Sequence, residues 1–529
     1  MPATASAAGS GLNAYEVKTN AAVLRELARQ GFDMSEARQG NRVEIAATKA
    51  QVAKLRKLGL EPVIKRDEQG LSALQFDAQV QRPDGSYDVY RPYFDPTYAG
   101  TANSQPESET NPRRQTLYEE LTQLAAANTD LVKPVVIGRS VNGTPILALR
   151  VTRDAREPSN RDGSRPAVLY SATQHAREWI VPETARRLLH YVIDEYRDGN
   201  ERVHRIVDTT ELWFVVVANP DGYDFTFTPG NRLWRKNLRE INGQPGIQSG
   251  DGVDPNRNFS YHWNYDDEGS SSDPPSETYR GSGPNSEPET QAMDGLLNRI
   301  GFEFQVNYHS AAELLLYPFG FQVETYTADD PIYRALSGND DDPAIAGDGP
   351  GAPNPYDPHV GAELYTTNGE TTDHAHSVYG TLAWTPEMDV AAPDRGGGES
   401  VFEFQDSEPD LQAAFEKNIP FALDVAESAQ DPANPVSHLG NDTPDFEVES
   451  FSASFGDPQT VEANVKRELG AVTMHYTVNG GGEQTSGTQE WGGGERYGGP
   501  GDVYYHRVRG TVRGTSPGDR VRVWFEAGG

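Results

Sequence analysis

The 529-residue chain contains no cysteine, which excludes disulfide bridges, thiolate-bound zinc and a cysteine nucleophile. Any metal centre must then be built from His, Asp and Glu. Long apolar runs are missing as well. The densest, Leu212 to Ala218 (LWFVVVA), falls far short of the ~20 residues that cross a bilayer and reads as a buried strand, so a soluble protein with no membrane partner is expected. Lysine is scarce, nine of 46 basic residues, against 79 Asp and Glu. The net charge of -33 repels phosphate backbones and anionic lipid, which disfavours nucleic acid as a partner. Acidic loops such as GNDDD (Gly338 to Asp342) fit either a salt-rich habitat or an ordinary acidic exoenzyme. The first residues lack an apolar signal core, but Ala5-Ser6-Ala7 has the small-x-small form that precedes signal-peptidase cleavage. A secreted, extracellular protein with a trimmed signal is expected; an Ala/Ser-rich tail is the plain alternative.

The length predicts roughly three units. After a tail of residues 1–13, residues 14–66 read as a small β-α-β-α-β module. Its second helix has Thr48 as N-cap, Val52 and Leu55 at helical spacing, and Gly59 where a C′ residue belongs. Residues 67–112, rich in Asp, Gly, Pro, Ser and Tyr without helical period, predict a linker or wrapping segment. From 113 to 429 near-continuous apolar strands alternate with amphipathic helices, which predicts an α/β domain with helices on both faces of a mixed, largely parallel sheet. Residues 440–529 carry short alternating runs separated by Gly and Asn, the pattern of an all-β sandwich. An incomplete accessory domain is one expectation, because the chain stops just after a strand-like run.

His175 and Glu178, in HAREW, lie three residues apart directly after a predicted buried strand, where both side chains can converge on one metal. That spacing alone is weak. It gains weight from ordered segments at later strand ends: NPDGY (Asn219 to Tyr223), NRLWRKN (Asn231 to Asn237), GVDPNRNF (Gly252 to Phe259), NYHS (Asn307 to Ser310) and WTPE (Trp384 to Glu387).

Together these segments closely resemble the carboxypeptidase A/B branch of the funnelin metallocarboxypeptidases, over residues 113 to 429. The resemblance implies one zinc held by His175, Glu178 and His309, with an open position for water. It implies Glu387 as general base and Arg235 as stabiliser of the oxyanion. Asn256 and Arg257 match the pair that binds the substrate's terminal carboxylate, and Arg177 an auxiliary contact. Tyr365, 22 residues before Glu387, matches the mobile capping tyrosine. Asp254 matches the acid that fixes the tautomer of the first zinc-bound histidine. The implied substrate is the C-terminus of a peptide or protein, and a monomer is expected.

Three departures from the family pattern carry information. Thr372 stands at the specificity position, offers no charge to a basic side chain, and predicts removal of neutral or apolar residues; nearby Glu363 and Glu370 could add acidity. Ala311 follows Ser310 where a substrate-contacting tyrosine is common. In DHAH (Asp373 to His376), two histidines replace the usual aromatics; they read as packing or hydrogen-bonding residues, with a second metal as the alternative. The module at 14–66 sits where relatives carry an inhibitory propeptide. Two competing readings are a carboxypeptidase acting on cell-wall peptides and a catalytically inactive peptide-binding protein on the same fold.

Overall fold

Thr48 begins to order the N-terminal module: its side chain accepts from the Gln51 amide while Gln51 caps back, closing a capping box, and Gly59 at φ +80° ends the helix. The structure, a computed structural model, describes residues 10–67, 69–81, 87–95, 115–157, 165–346, 355–363, 365–389, 402, 406–492 and 502–528, the side chains of 36–39 aside. The Ala5-Ser6-Ala7 signal remnant lies outside them.

The module runs β1 (Asn13–Lys18), a helix Ala21–Arg29, β2 (Asp33–Gln39), β3 (Arg42–Ala47), a helix Lys49–Lys57 and β4 (Val63–Ile64), with strand order β2-β3-β1-β4 and antiparallel pairing throughout. This is the split β-α-β-β-α-β arrangement. The sequence reading omitted β2, because DMSEARQ has no apolar alternation; its Asp33 and Ser35 are nevertheless buried.

Residues 67–112 are not all irregular. Ser72 and Gln75 close a capping box on a short helix, Ala73–Val80. Tyr87, Tyr90 and Tyr93 are buried in the main core, so this part wraps the next domain rather than linking past it.

The central sheet comprises β5 (Val132–Arg139), β6 (Pro145–Val151), β7 (Ala167–Ala172), β8 (Glu211–Val215), β9 (Phe304–Ser310), β10 (Leu314–Tyr317), β13 (Asp357–Val360) and β14 (Leu382–Met388), with a two-stranded pair, β11 (Gly338–Asn339) and β12 (Asp342–Pro343), beside it. The order is β13-β10-β14-β9-β7-β8-β6-β5. The middle four strands, β14, β9, β7 and β8, run parallel, with antiparallel pairs toward both edges. Helices Ile180–Asp198 and Glu408–Ser428 cover one face and Pro288–Ile300 and Thr371–Tyr379 the other, giving two apolar layers. The mixed, largely parallel α/β sheet read from the sequence is present. The last helix begins earlier than its apolar period, because Glu408-Pro409-Asp410 forms a polar first turn suited to a helix N-terminus.

Beyond it lies a sandwich of two sheets, β15 (Phe446–Val448), β16 (Gln459–Lys466), β20 (Tyr505–Val512) and β19 (Gln489–Glu490) facing β18 (Gln484–Gly487), β17 (Val472–Val478) and β21 (Val521–Ala527). Val461, Ala463, Val465, Met474 and Val508 fill the space between them. Among the described residues, no helix is long and apolar enough to cross a membrane.

Candidate active site

The parallel strands end where the predicted site residues gather, as ligand sites in open α/β sheets do. His175 and Glu178 follow β7, and His309 and Glu387 are register partners on β9 and β14. All four side chains are buried. Glu178 Oε1 lies 2.7 Å from His175 Nδ1 and Oε2 3.1 Å from His309 Nδ1, and the two Nδ1 atoms are 3.0 Å apart.

The outer face of each ring is already committed. His175 Nε2 donates to Asp254 Oδ1 at 3.2 Å, and His309 Nε2 lies 3.2 Å from Gln174 Oε1. The Asp254 contact holds the His175 Nδ1 lone pair toward His309 and Glu178, an arrangement suited to a shared cation. Burial alone would raise the Glu178 carboxyl, but the two histidines pull it well below the ordinary value. The donor set, two imidazoles and one carboxylate, therefore fits zinc.

Asp254 organises the next layer. Burial opposes its charge, yet Arg235 and His175 hold its carboxyl far below the usual range. Its Oδ2 accepts from Arg235 Nε at 3.0 Å and its Oδ1 from the Asn256 amide at 2.9 Å. Asn256 Oδ1 in turn accepts from the Thr371 amide and hydroxyl. Arg257 is clamped by Gly269 O at 2.9 Å and Asn256 O at 2.8 Å. Gly369 secures that clamp: it sits at φ +67°, and a Cβ there would lie 2.6 Å from Arg257 O.

His175, Arg235, Asn256, Arg257, Tyr365, Thr372 and Glu387 line one cleft of about 470 Å³. Arg177 lies apart from this lining. It pairs with Asp33 of the N-terminal module and stacks over Phe402. Arg235 Nη1 is 3.6 Å from the same Asp33. Asp33, Phe32 and Met34 also line a second space of about 340 Å³ shared with Arg235, Arg257 and Tyr365, so the module roofs the cleft on its arginine side.

Sequence reasoning missed three residues. Asp33 is one acid among many until its arginine partners are placed. Gln174, which receives His309 and donates to Thr371 at 2.7 Å, adjoins His175 and was findable from that neighbour. Glu370 lines the cleft and accepts from Thr372 Oγ1 at 2.6 Å; its acidity was noted, its contact with Thr372 was not.

A buried His-Glu-His cluster at the ends of parallel strands, with a register-paired glutamate and buried arginines, defines a metallohydrolase type of site. The zinc carboxypeptidase family profile matches residues 117–413, and the chain belongs to that family. It is 34% identical over 207 residues to a metallocarboxypeptidase A-like protein of Trichophyton verrucosum, covering 38% of this chain and 45% of that protein. It is 33% identical over 213 residues to carboxypeptidase A4 of Mus musculus, covering 40% and 47%. The chain thus spans about half the length of the curated relatives it matches. Among solved structures, carboxypeptidase A from Helicoverpa armigera aligns with a TM-score of 0.59 at 20% identity, over 80% of this chain and 98% of that one. Thrombin activatable fibrinolysis inhibitor aligns at 0.57 and 18%, over 79% and 98%. Both share the fold.

Proposed function

We propose that this protein is a zinc-dependent carboxypeptidase that removes single C-terminal residues from peptides and proteins. One observation carries the reading: the inward-facing His175, Glu178 and His309 adjoin a cleft lined by Glu387, Arg235 and Arg257. When bound, zinc supplies a Lewis acid and lowers the pKa of its water to ~7. Glu387 takes the proton of the attacking water and delivers it to the departing amine. Arg235, oriented by Asp254, stabilises the negative charge that develops on the carbonyl oxygen. Asn256 and Arg257 receive the substrate's free carboxylate, the feature that separates an exopeptidase from an endopeptidase. Tyr365 closes over the bound residue. All four metal and base residues are present, which weighs against an inactive binding protein.

Thr372 supports a preference for neutral or apolar C-terminal residues. A second reading, acceptance of Lys and Arg, is favoured by the Glu370 carboxylate in the same wall. Burial and the neighbouring Glu370 also push the Asp373 carboxyl far up. A residue-release profile over peptides differing in their last residue decides between them: release of Leu and Phe far ahead of Lys supports the first, comparable or faster release of Lys the second.

The N-terminal module is inferred to be inhibitory, on the support of Asp33, whose carboxylate engages Arg177 and Arg235 at the cleft. Separating the module by limited proteolysis should raise activity; equal activity before and after would remove that role.

A further inference from the structure

We propose that the chain carries a second divalent-cation site, at the junction of the catalytic domain and the C-terminal sandwich, ligated by Asp329, His376 and Asp502. Asp329 caps the turn before the helix Asp330–Ser337, His376 lies on the helix Thr371–Tyr379, and Asp502 leads into β20. One ligand atom from each lies within 4.8 Å of the others. Nothing in the hydrolytic chemistry above uses them.

His376 is the second, independent observation. It is 0% exposed, and its Nε2 has no hydrogen-bond partner. Its other nitrogen, Nδ1, is 3.2 Å from the Tyr333 hydroxyl oxygen, which already accepts from the Ala383 amide at 3.1 Å. Tyr333 thus engages Nδ1, and Nε2 is the ring atom left facing the two carboxylates, the placement of a metal-bound histidine. An orphaned imidazole nitrogen in a dry site is costly unless something takes it up.

Nε2 stands 3.7 Å from Asp502 Oδ1. That is too long for a hydrogen bond, and close to the about 3.4 Å that separates two ligands each ~2.1 Å from a tetrahedral ion.

Both carboxylates are held as ligating carboxylates are. Asp329 Oδ1 accepts from the Tyr504 and Tyr505 amides at 2.9 and 2.7 Å and Oδ2 from Val503 at 2.7 Å; Asp502 Oδ1 accepts from Ala328 at 2.6 Å. On its other side, Asp502 Oδ2 is 3.6 Å from Arg507 Nη1. One imidazole and two carboxylates suit Zn²⁺ or Mn²⁺. The ion would tie Asp502 of the sandwich to two elements of the catalytic domain.

Metal counting on the full chain tests this. Saturated with Zn²⁺ and freed of excess, the wild type is expected to hold two ions, and Asp502→Asn and His309→Gln one each. Asp502→Asn should keep its peptide-releasing activity, so loss of this site is distinguishable from failure of the catalytic centre. Should Asp502→Asn fail to fold, His309→Gln serves alone: added Zn²⁺ should raise its melting temperature by several degrees. One ion in the wild type, two in Asp502→Asn, or no shift in His309→Gln overturns the proposal.

Discussion

Arg257 shows how much of the site is decided by backbone around a single side chain. Two of its donors are spent on Gly269 O and Asn256 O, so its position is fixed before any substrate arrives. On the proposed role of Arg257, Arg257→Gln removes a charge-assisted contact to the terminal carboxylate, and kcat/KM for a blocked dipeptide should fall about 10- to 100-fold. The loss should be much smaller on the same dipeptide with its C-terminus amidated. A uniform loss on both would place Arg257 outside carboxylate recognition. His175, Glu178, His309 and Glu387 were legible as candidates because all four lie in ordered strand-end motifs, HAREW, NYHS and WTPE, that resemble those of the family. Asp33 was not, since an isolated Asp has no meaning until folding supplies its partner. Glu370 was visible as acidity only; its hydrogen bond with Thr372 depends on the turn that starts the helix Thr371–Tyr379.

The elements that escaped the sequence are those whose burial is polar. β2 has no apolar alternation, yet Asp33 is 2% exposed because it meets Arg177 and Arg235 across the boundary with the catalytic domain. Strands β6, β7 and β8, buried throughout, announced themselves as apolar runs. Asp33 also fixes the pH behaviour of the module's docking. Burial opposes its charge, but the two arginines hold its carboxyl below the ordinary 3.8. Its contribution is therefore complete above about pH 4 and is lost as pH falls through the lowered value. Between pH 5 and 8 the docked module should hold with little change in affinity. Asp33→Asn should weaken it at neutral pH and raise the activity of the intact chain; unchanged activity in that variant would mean that the module's other contacts, such as Ser276 with Gly31 O, suffice.

For the whole molecule, the active site draws on every layer: ligands from the strand ends, Gly369 and Arg257 from the loops, and the module over the top. The large apolar layers on both faces of the sheet do not depend on the metal. Chelation is accordingly expected to abolish peptide release while leaving the far-ultraviolet circular dichroism unchanged, and Zn²⁺ should restore activity. Loss of secondary structure on chelation would assign the metal a structural part instead.

The most direct test of the central claim compares wild type and Glu387→Gln, both zinc-loaded and with the N-terminal module removed, for release of the last residue from a blocked dipeptide. The account predicts steady release by the wild type, and loss of at least about two orders of magnitude in the variant with its zinc content unchanged. Comparable release by the two proteins, or none by the wild type, would contradict it.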